Sequence, residues 1–240
     1  IQTFGKILAL LVGLVAIAIM TRALGTEGFG EYTTAITYLQ FFGVIVDFGL
    51  TLTLIVMISE KGANQEKIVG NFFGLRLVSG FLLFGLAPIS VLALPWSMVV
   101  KQAVLVGSVA YFLMGGATML IGIFQKHESM WRPALAELLN RLVLTALVGI
   151  FAYMQLGVVW MVFAILAANL VWLFLMVYYS KPFVRVRPMF DFKLWKKILS
   201  RSWPIAISTI FNLLYLKGDI LILAYFRDQA EVGLYGLAYK

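Results

Sequence analysis

The sequence predicts an all-α fold, a polytopic transmembrane helical bundle, on three observations: its hydrophobicity, the length of its apolar runs and the placement of its basic residues. Of the 240 residues, 62% are hydrophobic and 12% charged, against roughly half and a quarter in soluble domains. A hydrocarbon core of about 30 Å takes about 20 helical residues per crossing. Seven windows reach that length: residues 3–24, 32–58, 69–94, 98–124, 134–154, 157–179 and 203–226. Barrel strands would be about 10 residues long and would alternate apolar with polar. These runs are apolar on every side, so they are helices.

The first span begins with Lys6, an interfacial anchor, and its Ala16-Ile17-Ala18 imitates a signal-peptide cleavage site, but the apolar run continues beyond it. Asp47 stands near the middle of the second span, about 16 Å from its inner end at 1.5 Å per residue. It either ion-pairs, sits protonated or, beside Gly49, marks a helix distortion. The third span has the small-xxx-small pair Gly70 and Gly74 for close helix approach, Arg76 two turns in, and Pro88 as an expected kink. Glu137 and Arg141 stand at i and i+4 in the fifth span, the favourable order for a helical ion pair, with Asn140 beside them. Asn169 and Asn212 are mid-span amides suited to holding helices together. Trp96, Tyr153, Trp160, Tyr178 and Tyr179 fall near span ends as an aromatic belt.

Basic residues gather in alternate connections. Lys61 and Lys67 follow span two, Lys126 and Arg132 follow span four, and seven cations from Lys181 to Arg201 follow span six. The opposite side offers Arg22 and Lys101, so the positive-inside rule puts the amino terminus in the cytoplasm. Attraction to membrane lipids explains the net charge of +8 better than nucleic acid does, because the cations sit in juxtamembrane loops. The longest connection, 180–202, divides the chain, and its residues 190–198 read either as an amphipathic helix on the inner surface or as a solvated basic linker. Residues 1–179 then form a six-helix amino-terminal lobe and 203–240 the start of a second lobe, in a chain that reads as a fragment.

A repeat supports two lobes. Gly30-Glu31-Tyr32-Thr33-Thr34-Ala35 and Gly233-Leu234-Tyr235-Gly236-Leu237-Ala238 both fit G-x-Y-x-x-A, and each follows an apolar span that starts on the same side. An even number of spans between them preserves orientation, as in transporters whose halves are related by an axis along the membrane normal.

Arg22-Ala23-Leu24-Gly25, Phe29-Gly30-Glu31-Tyr32 and Asp47-Phe48-Gly49-Leu50 together resemble the amino-terminal pattern of bacterial polysaccharide and O-antigen flippases. These belong to the multidrug, oligosaccharidyl-lipid and polysaccharide exporter superfamily. The resemblance implies a twelve- or fourteen-helix transporter of the bacterial inner membrane, with two lobes around a central cavity. It would move undecaprenyl-pyrophosphate-linked oligosaccharide between leaflets.

Ionisable side chains in hydrocarbon cost about 2.5–3.5 kcal/mol on insertion scales and so mark cavities or partners. Arg76 either snorkels to the interface or grips a pyrophosphate with its planar fork. Lys217 and Asp219 lie well inside span seven and, two apart, point to different faces; an anionic substrate would serve Lys217. In the alternating-access reading, Arg76 and Lys217, with Arg141 and Lys6, neutralise the pyrophosphate in a basic cavity. Asp47 and Asp219, with Glu137, set cavity electrostatics or bind a coupling cation, H+ or Na+. A multidrug antiporter of the same superfamily is the alternative. An integral-membrane polysaccharide enzyme would need a sizeable outer loop, and the outer connections here are short.

No G-x-x-x-x-G-K-S/T phosphate loop is present, so this chain carries no such ATP site. The single histidine, His127, reads as a solvated loop residue, and without cysteine or a second histidine a zinc site is remote. No cofactor is implied.

Overall fold

The computed structural model describes residues 2–238, with no side-chain placement for 2–4, 6 and 238. Eight helices and one short 3-10 turn make up the described residues: α1 (Gln2–Asp47), α2 (Leu50–Ser59), α3 (Gln65–Ser90), the turn Val91–Ala93, α4 (Met98–Lys126), α5 (Trp131–Tyr153), α6 (Val158–Ser180), α7 (Phe192–Phe226) and α8 (Gln229–Ala238). Among the described residues six segments are long and apolar enough to cross a bilayer, and the first, Ile7–Ser59, takes in most of the first expected span and all of the second. The protein is therefore a multi-pass membrane protein.

Gly25 separates those two spans. Its φ of 66° and ψ of −173° interrupt α1, a conformation that costs glycine nothing. The first limb of α1 runs beside α5 in the same direction, Gly5 facing Ala134 and Gly13 facing Arg141. The second limb runs beside α4, Glu31 meeting Ser97 and Gly43 meeting Tyr111. Helices α5 and α6 are antiparallel, since Arg132 reaches Tyr179, Asn140 reaches Asn169 and Phe151 packs on Trp160. Helix α6 runs with α4, Val162 lying over Gly107 and Leu173 over Gly116. The two limbs of α1 are thus opposed, and the chain reverses at Gly25.

The second expected span is broken rather than continuous. Phe48 (φ 43°) and Gly49 (φ 70°) are both left-handed, ending α1 at Asp47 and starting α2 at Leu50. A Cβ on Gly49 would stand 2.8 Å from Ile205 Cβ and 2.9 Å from the Ser202 carbonyl. The glycine is therefore needed twice, for its dihedral and for the close passage of α7.

Residues 190–198, read as either a surface helix or a solvated basic linker, instead lead into α7, which runs unbroken from Phe192 to Phe226 with Pro204 inside it. Asp191 caps it, accepting from the amides of Lys193 and Leu194, and Trp195 and Ile198 are buried. Before it, the chain crosses α3 in extended form. Met189 donates its amide to the Gly70 carbonyl at 2.9 Å, and a Cβ on Gly70 or Gly74 would collide with the backbone of Arg187 or Met189. The small-xxx-small pair expected to admit a helix admits this extended strap. Asn71 Oδ1 accepts from the Asp191 amide at 2.8 Å, and Lys67 pairs with Asp191 at 3.0 Å. These contacts hold the Asp191 carboxyl below its ordinary range, the Lys67 bond first and the Leu194 amide next.

Helix α3 continues through Pro88 to Ser90. Trp96 is buried and donates to the Ala224 carbonyl at 3.0 Å, so it ties helices together rather than joining a belt. Tyr153, Trp160 and Tyr178 are exposed as a belt requires. His127 is stacked on Phe183 at 4.6 Å, with Nε2 3.1 Å from Gln65 Oε1. Burial first, and Lys126 second, keep its pKa below the usual value.

Candidate functional site

The break at Phe48 and Gly49 turns Asp47 toward α3. Arg76 Nη1 donates to Asp47 Oδ1 at 3.0 Å, and Thr51 Oγ1 donates to the same oxygen at 2.7 Å. The arginine side chain is 8% exposed and the aspartate 29%, so the guanidinium is buried and the carboxylate looks into open space. Arg76 does not snorkel to the interface. Its guanidinium lies across Gly115 of α4, with Nε and Nη2 each 3.0 Å from where a Cβ would stand. Nε is buried with no hydrogen-bond partner among the described protein atoms. A Cβ at 115 would press on the guanidinium, and a larger side chain would displace it.

The open space is a chamber of 370 Å³, with Asp47, Arg76, Tyr111, Gly115, Thr209 and Leu213 among its lining residues. Helices α1, α2, α3, α4 and α7 contribute to it, so its walls come from both sides of the basic connection. Its volume falls within the range of small-ligand sites. Gln40, Thr51 and Thr118 add uncharged polar groups to its wall, and Phe84 adds an apolar face. Sequence reasoning missed Gly115, Thr51, Thr118 and Thr209. Mid-span hydroxyls, together with the Gly115-Gly116 pair opposite Arg76, were the available signal.

Of the residues expected to form the site, Arg76 and Asp47 are brought together. Lys217 stands one turn beyond Leu213 on α7, outside the lining. Asp219 accepts from Tyr235 Oη at 2.6 Å and from the Ile220 amide at 2.9 Å, joining α7 to α8. Arg141 packs beside Gly13 on the first limb of α1, also away from the lining. Among the described residues Glu137 and Arg141 form no ion pair, contrary to their spacing. The Lys6 side chain lies outside the described residues. The lining charges among the described residues are one arginine and one carboxylate, so the chamber is balanced rather than basic as expected. Asn169 does hold helices together, donating to the Ala110 carbonyl at 2.9 Å and accepting from Asn140 at 3.2 Å. Asn212 is exposed.

Beyond one end of the chamber, the two copies of the G-x-Y-x-x-A repeat meet. A Cβ on Gly30 would overlap the Gln229 carbonyl, and a Cβ on Gly233 would overlap the Thr26 carbonyl. Each glycine thus meets the carbonyl four residues before the other, the reciprocity of a twofold-related helix crossing. Thr34 donates to Gln229 at 2.8 Å across the same contact.

Comparison with known proteins places this fold. An inward-facing multidrug resistance MATE-family transporter of the MOP superfamily is similar over 100% of this chain and 57% of its own, with a TM-score of 0.72 and 17% identity. A crystal structure of a MATE mutant is similar over 98% of this chain and 60% of its own, with a TM-score of 0.68 and 18% identity. A MATE protein in a bent conformation matches 98% of this chain and 63% of its own at a TM-score of 0.57 and 17% identity. This chain thus spans about 57–63% of the length of these structures, and the likeness is one of fold. Comparison with curated proteins finds no match. A family profile described as polysaccharide biosynthesis protein matches residues 1–240. With the whole length matched, the chain belongs to that polysaccharide biosynthesis protein family.

Proposed function

We propose that this chain supplies the first lobe (1–179), the basic connection (180–202) and the opening of the second lobe (203–240) of a flippase. It moves undecaprenyl-pyrophosphate-linked oligosaccharide across the bacterial inner membrane by alternating access. Its amino terminus is cytoplasmic, and it is a transporter, not an enzyme. The observation that carries this reading is the Arg76–Asp47 pair at a helix break, facing a chamber lined by mid-span residues of apolar helices long enough to cross a bilayer.

The pair works by competition. Arg76 carries five donors in a fixed fork, and one of its nitrogens bonds Asp47. A pyrophosphate in the chamber offers acceptors only, and it competes with Asp47 for the guanidinium. A coupling cation, H+ or Na+, that settles on Asp47 weakens its hold and frees Arg76 for the phosphate. Loss of the cation restores the pair and expels the headgroup. Arg76 is retained in either state, so neither charge is left unpaired in a dry site. Lys217 on α7, with Arg141 and Lys6, extends the cationic track, while Asp219 and Glu137 tune it.

The test is transfer of a labelled lipid-linked oligosaccharide across proteoliposomes made with the full-length protein. Arg76→Ala is expected to slow transfer about 10- to 100-fold, the worth of a hydrogen bond to a charged group, with protein content unchanged. Normal transfer would remove Arg76 from the site. A second reading, an antiporter of cationic drugs, is favoured by the balanced charge of the lining and by its Phe84 and Tyr111 faces. Export of a cationic dye that depends on Asp47, without sugar transfer, would select it.

A further inference from the structure

A second concavity, of different character, lies where α6 ends. It measures 440 Å³ and is lined by Val177, Lys181, Arg185, Val186 and Arg187. All three cations are exposed. None of them joins an ion pair among the described residues, whereas Lys67, Arg76, Arg201 and Arg227 each face a carboxylate. The backbone that carries them is fixed. Phe183 and Val184 donate their amides to the Ser180 carbonyl, Val184 is buried, and Met189 is bonded to Gly70. Lys181 Nζ stands 5.3 Å from the ring of Tyr178, an exposed aromatic at the end of α6, the level at which amphipathic rings meet lipid headgroups.

We propose that this concavity binds the phosphate of an anionic phospholipid from the surrounding bilayer. Three cations on a fixed backbone converge on one space, and two of them are arginines, whose forks match phosphate oxygens. Val177 and Val186 give the space an apolar floor, which suits the glycerol and first methylenes of a lipid and offers nothing to a free phosphate. Basic pockets beside transmembrane helices are a known form of lipid headgroup site. Lys193, Lys196 and Lys197, on the opening turns of α7, line no part of this space. The site is separate from the chamber, and its reading does not depend on what the chamber carries.

Native mass spectrometry of the full-length protein, titrated with phosphatidylglycerol or phosphatidylcholine, tests the proposal. Lys181→Gln, Arg185→Gln and Arg187→Gln together are expected to weaken phosphatidylglycerol binding about 100-fold, each cation near a headgroup being worth about a factor of five. Lys193→Gln, Lys196→Gln and Lys197→Gln remove the same charge and are expected to change it less than about twofold, because they lie outside the pocket. All six side chains are exposed, so folding is not at stake. Equal losses in the two triples would mean diffuse attraction and would overturn the site, as would no loss in either or equal binding of phosphatidylcholine. Displacement of the lipid by millimolar glycerol phosphate would assign the pocket to soluble phosphate instead.

Discussion

Arg76 is held from two sides, by the Asp47 carboxylate and by the bare backbone of Gly115. A side chain larger than a methyl at 115 would crowd the guanidinium, so Gly115→Val is expected to displace the arginine and slow transfer about 10- to 100-fold, as Arg76→Ala does, checked in the same proteoliposomes. Removing one partner of a buried pair leaves the other uncompensated, which costs about 3–5 kcal/mol; Asp47 faces the chamber, so the lower end applies. Asp47→Leu with Arg76→Leu should restore most of the melting temperature lost by Arg76→Leu alone while leaving transfer as slow as in that single variant. Recovery of both would make the pair structural. The sequence marked Asp47 and Arg76 separately as costly charges, and nothing in it showed that they meet, because helix periodicity relates residues within a span and not across two. The same limit worked in reverse for Glu137 and Arg141. Their i, i+4 spacing permits an ion pair, and the packing of Arg141 beside Gly13 takes it elsewhere.

At the scale of elements, small residues decide where segments cross. Gly30 and Gly233 bring α1 and α8 to backbone contact, and Gly70 with Gly74 admits the strap before α7. Overpacking of such contacts costs about 1–3 kcal/mol, so Gly74→Leu is expected to free residues 184–190 to exchange amide hydrogens faster, read by hydrogen–deuterium exchange at the Met189 amide. Protection equal to the wild type would contradict the close crossing. The Lys67–Asp191 bond adds a pH dependence to the strap. With the Asp191 carboxyl held below its ordinary range, the bond's contribution is full above about pH 4, the unfolded value, and is lost as pH falls through the lower folded value. Protection of the strap should therefore be flat from pH 5 to 8 with respect to this group, and Asp191→Asn should lower it across that whole window. Span positions were legible because hydrocarbon demands about 20 apolar helical residues. The start of α7 was not, since Phe192–Ile198 has the amphipathicity of a surface helix and becomes buried on one side by docking against α2 and α3.

Across the whole molecule, the connections after α2, α4 and α6 share one end of the bundle. Gln65 meets His127, Lys126 donates to the Ile58 carbonyl, and Arg201 pairs with Glu60. The alternating charge read from sequence is thus a real polarity of the fold, and it sets the chamber between a basic end and an end where the repeats cross. The repeat itself was legible as a pattern. Its reciprocal contact was not, because a match of three positions says nothing of which surfaces touch. A chamber open to water at bilayer depth is the claim on which transport rests, and these 240 residues contain no cysteine of their own to compete with a thiol introduced there. Thr118→Cys in the full-length protein, with any cysteine outside these 240 residues replaced by serine, probed in membranes with a water-soluble thiol reagent, is expected to react and to be protected by lipid-linked oligosaccharide. A thiol at 118 that stays unmodified from both sides of the membrane would contradict it.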